Sequence, residues 1–306
     1  MFFIYIKKIN YFMKKYLSFI KESKSDENIE KYIKNNDINS IDKIVKSIDE
    51  EELYNYCKIT MNYGNIDIFK LLYKNLVEKS SKYQKKEISS NLLKYVSVSP
   101  DLSEFKNNDN ISKEERENFI SNSIILLIED DADIEISNKY SLRTLVNKGR
   151  TDSVKILLEK GCKPNEQMLV GGSNNIDIFR MLVEYGAKPK EYLKPILNEL
   201  SKNKNCKQVM KYLVDDLKIT IDNNDIQDLS DKTSIDFLKY IIVGGVNADF
   251  ILKRNPNLED KLKDFEFQKE LIDRYPHRIG EFGNILNPKL REDDKVKDIV
   301  KLDDWG

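Results

Sequence analysis

The chain is poor in the residues that most enzymes and secreted domains depend on. It has 1 histidine, 1 tryptophan and 3 cysteines among 306 residues. With His277 alone, Ser-His-Asp and Cys-His nucleophile schemes and histidine-based zinc sites drop out. His277 lies between Pro276 and Arg278, beside no serine or cysteine nucleophile. Cys57, Cys162 and Cys206 are odd in number and far apart, so they offer no disulfide framework and no zinc-ligand pair. They read as packed free thiols of a reducing compartment. With 11 glycines and 7 prolines, long loops and disordered linkers have little material. Lys+Arg 51 against Asp+Glu 52 leaves a net charge of -1, without the basic excess of a nucleic-acid binder. No apolar run approaches the ~18 residues of a membrane span. The apolar start is broken by Lys7, Lys8, Lys14 and Lys15 and lacks a small-residue cleavage site, so no signal peptide is expected. Met13 is an alternative start, which would make residues 1–12 an upstream over-extension.

What the sequence has is a recurring helical phrase. In residues 149–165, GRTDSVKILLEKGCKPN, the side chains of Val154, Leu157 and Leu158 fall on one helical face. Asp152 suits the positive end of the helix dipole and Lys160 its last turn. Gly161 stands where a left-handed cap is needed, and Pro164 prevents continuation. A helix this short must bury its stripe against neighbours to persist in water. The phrase returns with Phe179, Met210 and Leu238 in the Val154 slot, at steps of 25, 31 and 28 residues. Upstream, Ile124, Phe69 and Ile44 occupy the slot. Repetition at this period predicts a stack of similar units.

Residues 135–165 then carry a resemblance. They run at the length of one ankyrin repeat, and the segment 140–150, YSLRTLVNKGR, resembles the family's T-P-L-H-x-A-A-x-x-G-H. Leu142, Gly149, Val154, Leu157, Leu158 and Gly161 match the pattern, and Cys162 takes its small-residue place. Tyr140, Ser141 and Arg143 depart from it, standing where the family has the threonine, proline and histidine that order the first helix. The short unit ending at Gly186 leaves no room for a projecting β-turn finger. The chain thus resembles a divergent ankyrin repeat protein, in a style common among large DNA viruses and phages. The resemblance spans roughly residues 30–250. It implies an all-α, ankyrin-like helix-turn-helix solenoid with reduced or missing β-turn fingers and helical caps.

The expected organisation is N-terminal capping helices over 1–36, repeats over 37–250 and a C-terminal helical cap with charged tail over 251–306. An irregular insertion is expected around 76–115, containing a degenerate unit near Leu92 and Leu93 and a turn-rich loop over 97–110. Ser112 with Glu115 reads as a capping box. Residues 258–274 read as a helix broken once. The acidic run 129–135 fails as a calcium loop, having Ile136 and Leu142 where glycine and glutamate are required. The pairs Gly171–172 and Gly244–245 lack the Lys-Ser/Thr of a phosphate loop and read as close packing and a helix cap. Trp305 reads as a frayed terminal aromatic.

No catalytic set, cofactor site or metal site emerges. The resemblance implies a non-enzymatic scaffold that grips a protein partner on the concave face lined by first helices. The family's variable positions fall on Asn62 and Tyr63, on Ser137, Lys139, Asn147 and Lys148, on Gly172 and Ser173, on Asn203 and Lys204, and on Asp231 and Lys232. The alternative is a nucleic-acid-associated or DNA-mimicking regulator, using the basic run Lys79, Lys82, Lys85 and Lys86 or the acidic turns. A monomer in the cytoplasm is expected, in the host cytoplasm if the chain is viral.

Overall fold

The computed structural model describes residues 26–98, 112–133, 138–226, 229–291 and 296. Among them every regular element is a helix and there is no strand. The expected N-terminal cap is described only from residue 26. The expected loop over 97–110 lies outside the described residues from 99 on, and so does Trp305. The chain divides into two compact units, Met1–Leu145 with Asp152–Cys162, and Val146–Thr151 with Lys163–Gly306.

In the first unit, α1 (Asp26–Lys34) buries Ile29 and Ile33, one turn apart, and ends at Asn36 with φ 57°. Asp37 caps α2 (Ile38–Ile44), its carboxylate accepting from the Ser40 N–H at 3.0 Å. Three glutamates in the first turn of α3 (Glu50–Tyr63), behind the Asp49 cap, complement the helix dipole. Gly64, at φ 69°, stops α3 by taking the left-handed conformation that a side chain disfavours. Asn65 then caps α4 (Ile66–Lys79). Helix α5 (Lys82–Val98) follows, and α6 (Lys113–Glu129) opens on the capping box. There Ser112 accepts from the Glu115 N–H and the Glu115 carboxylate accepts from the Ser112 N–H. A π-helical turn, Asn138–Leu142, leads into the short α7 (Arg143–Asn147), and α8 (Thr151–Glu159) follows.

These helices form two rows. In one, α1 packs beside α3, α3 beside α5, and α5 beside the turn Asn138–Leu142. In the other, α2 packs beside α4 and α4 beside α6. Ser121 on α6 meets Ser153 on α8 at 3.2 Å. The rows are bound by α3 packing on α4 and α5 packing on α6. Within the second row Phe69 stacks on Tyr73 and lies edge-on to Phe119.

In the second unit, α9 (Glu166–Gly172) packs on α10 (Ile176–Glu184) and beside α11 (Leu193–Leu200). Helix α12 (Lys207–Lys211), extended by a π turn Tyr212–Asp216, lies beside α10 and α13 (Ile235–Gly244). After α14 (Ala248–Arg254) come α15 (Glu259–Lys263) and α16 (Phe265–Arg274), broken at Asp264, whose carboxylate caps α16 through the Phe267 N–H. A 3-10 segment, Pro276–Ile285, and the short α17 (Pro288–Arg291) follow.

The anchors behave as the spacing requires, with one exception. Phe69, Ile124, Val154, Phe179, Met210 and Leu238 are fully buried, whereas Ile44 is half-exposed and Ile41, one turn earlier, takes the interior place. A second difference lies between α12 and α13. The sequence reading expects a continuous run of two-helix units to residue 250, yet the described residues of 217–234 form no helix. Alternating Ile219 and Ile221 followed by Asp222, Asn223, Asn224 and Asp225 present turn formers and no helical stripe. Ile221 is buried regardless, its N–H donating to the Gly244 carbonyl at 2.9 Å. A Cβ on Gly244 would lie 2.8 Å from Ile221 Cδ1 and Cγ1, so the helix approaches that closely only as glycine.

Candidate functional site

The row α1, α3, α5 and the turn Asn138–Leu142 exposes a band of tyrosines and lysines. On α3, Lys58 stands one turn after Tyr54, its Nζ 4.6 Å from the ring centroid. Burial pushes the Tyr54 phenol up, with Cys57, Glu87 and Tyr95 adding to the effect. Burial also holds the Lys58 ammonium below its ordinary value, against the pull of Cys57 and Glu51. Next to the exposed Tyr95, Lys94 reaches across to the Tyr140 ring at 5.8 Å. Tyr140 is 58% exposed. Tyrosine gives broad contact area at low entropic cost, and a lysine over its ring restrains the ring before anything binds.

Beside this band, still within the first unit, is a cleft of about 660 Å³ at the turns joining the two rows. Its floor is Ile33 and Phe119, and its rim carries Asn35, Asn36, Asn65, Asn118 and Asn122 with Tyr63 on one wall. Asn65 works twice: its side-chain oxygen accepts the Ile68 N–H at 2.8 Å and its amide nitrogen donates to the Asn36 side chain.

The residues singled out from sequence are distributed over both units. In the first, Asn62 and Tyr63 are partly exposed at the end of α3, and Tyr63 lines the cleft. Lys139 lies on the π turn, of its side chain nothing is described, and Ser137 lies outside the described residues. In the second, Asn147 is exposed, with its Oδ1 leaning over Gly171, and Lys148 is half-buried and partnered. Ser173 requires correction as a contact residue, for it is buried and its hydroxyl donates to the Val170 carbonyl at 2.7 Å. Gly172, also buried, has Leu182 and Ile178 tight against it. The Asn203 amide donates to Asn174 at 2.7 Å, and Lys204 and Lys232 are exposed. Asp231 accepts from the Asn255 amide at 2.9 Å and from the Asn257 amide at 3.1 Å. Those bonds, that from Asn255 foremost, hold its carboxyl below the ordinary range.

Sequence reasoning missed Tyr54, Lys58, Lys94 and Tyr95. They sit on α3 and α5, neither of which carries one of the aligned anchors, so the repeat alignment did not single them out. The basic run, in contrast, is dispersed: Lys79 donates to the Lys46 and Ile48 carbonyls and Lys86 pairs with Asp133 at 3.6 Å. Burial raises all three cysteine thiols, that of Cys162 to about 11, so none is a ready nucleophile near neutral pH. Compared with protein-family models, with curated proteins and with solved structures, the chain matches none.

Proposed function

We infer that the chain is a non-enzymatic, ankyrin-like repeat scaffold that binds a protein partner through the face carried by its first helices. The observation that carries this reading is the band Tyr54–Lys58, Tyr95 and Lys94–Tyr140, laid across consecutive first-row elements of one unit. Tyrosine is enriched in the cores and hot spots of protein interfaces, and Tyr95 and Tyr140 are exposed while Tyr54 is partly so. Support for stacked units comes from polar ties that join positions one repeat apart. Asn65 to Asn36 spans 29 residues, Asn203 to Asn174 spans 29, and Cys206 to Ser234 spans 28. Nearest-neighbour ties of this kind hold a quasi-one-dimensional array together. A reducing compartment agrees with the three buried free thiols.

The test is affinity capture from the native host with the whole chain and with a Tyr95→Ser/Tyr140→Ser variant. Both residues are exposed, so the variant keeps its fold. Partners recovered with the native chain and lost with the variant support the reading; the same proteins recovered from both would refute it.

A further inference from the structure

We propose that the asparagine-rimmed cleft of the first unit is a binding site for a neutral saccharide. The cleft, at about 660 Å³, lies within the usual range of small-molecule sites, ~300–1,000 Å³. Its chemistry is that of amides. Each asparagine offers an acceptor oxygen beside a two-proton donor, the pairing that two adjacent hydroxyl groups require, since each hydroxyl both donates and accepts. Asn35 and Asn118 are exposed and commit their side chains to no described neighbour, leaving both functions for a ligand. The Asn122 amide nitrogen gives one proton to the Asn118 backbone carbonyl at 2.8 Å, which leaves its second proton and its oxygen. Asn36 and Asn65 are tied to each other and form a fixed edge. Asp67 and Glu115 add acceptors for hydroxyl protons, although Glu115 already accepts from the Ser112 N–H.

The wall and the charges narrow the class. Tyr63, half-buried beside the buried Ile33 and Phe119, is a partly exposed apolar side chain of the lining that suits the C–H face of a pyranose ring. Two carboxylates and the single cation Lys34 line the cleft, so a phosphate or sulfate would meet net repulsion. An extended peptide presents its backbone groups along a line, whereas here the amides ring a compact cleft built from the ends of α1 and α3 and the first turns of α4 and α6.

The experiment is saturation-transfer NMR followed by calorimetry on the full chain. The panel is the methyl glycosides, disaccharides and trisaccharides of glucose, mannose, galactose and N-acetylglucosamine. At least one should bind, with an affinity indifferent to salt because the ligand is uncharged. Asn35→Ala and Asn118→Ala should each weaken it about three- to tenfold, the loss of one net hydrogen bond, with unchanged melting. Tyr83→Ser, at a residue 92% exposed and outside the cleft, should leave it unchanged. Absence of binding across the panel up to about 10 mM overturns the proposal. So does binding that survives both asparagine variants, or a cleft that takes inorganic phosphate or an acetylated tetra-alanine amide in preference to every sugar. The tyrosine band is untouched in these variants, so failure here leaves the partner-binding reading standing.

Discussion

Replacing Leu157 by alanine should be among the more damaging single changes in α8, and replacing Lys155, two residues away on the same helix, among the least. Leu157 is fully buried, with Val154 and Leu158 beside it on the same face. Truncation removes three buried carbons, worth about 0.8 kcal/mol each, or roughly 2.4 kcal/mol of lost transfer free energy. The cavity left behind raises the total to about 3–4 kcal/mol, because packed neighbours relax only partly. Lys155 is exposed and pairs with Glu159 at 3.9 Å, both side chains more than half in water. Such a pair contributes about 0.3–0.5 kcal/mol at most. Urea denaturation followed by far-ultraviolet circular dichroism measures both variants against the native chain. A midpoint shift for Leu157→Ala several times that for Lys155→Ala is expected. Equal shifts would mean that the apolar stripe of this helix does not face an interior, and the phase of every other copy of the phrase would be wrong with it.

Two further outcomes follow from particular contacts. Gly244→Ala should destabilise by about 1–3 kcal/mol, because its Cβ would press on Ile221 through Cβ as well as the chain end, while Gly171→Ala should cost far less. At Gly171 the obstacle is Asn147 Oδ1, the tip of an exposed side chain that can swing away, and alanine favours the helix; thermal melts of the two variants decide, and equal losses would contradict it. Asp231 has a folded-state pKa held below its ordinary value by the Asn255 and Asn257 amides, so its contribution is present above the usual aspartate range and is lost as pH falls through the lowered value. In Asn255→Ala the carboxyl should titrate nearer its ordinary value, read by carbon-13 NMR of that carboxyl; an unchanged titration would show that the amide does not hold it.

Much of the helical plan was legible because it rests on local rules. Gly64, Gly149, Gly161, Gly186 and Gly245 all adopt positive φ. The stops at Gly161 and Gly245 are readable from the glycine following a periodic apolar stripe. The capping box at Ser112 and Glu115 likewise follows from side chains that reach backbone groups three residues away, whereas a single break in 258–274 was expected without a position and falls at Asp264. Less legible were positions whose role depends on a neighbour far along the chain. Ser173 looked like a surface residue by its place in the repeat, yet the end of α9 turns its hydroxyl inward. Tyr54 and Tyr95 are 41 residues apart in sequence and carry no motif, and they come onto neighbouring helices only because α3 lies beside α5.

The amino-acid order alone settled most of the helices, several of their stops and the apolar face at six of the seven anchors, since caps, glycines and a 3.6-residue period act within one or two turns. It misplaced the phase at Ile44 and expected helix over 217–234, where the described residues form none. Tertiary packing decided what lies next to what: the tyrosine band, the asparagine cleft, and the burial of Ile221 in a segment without helix. Those depend on which helix lies against which, and that is set by side chains interlocking across tens of residues of sequence, beyond the reach of any local rule.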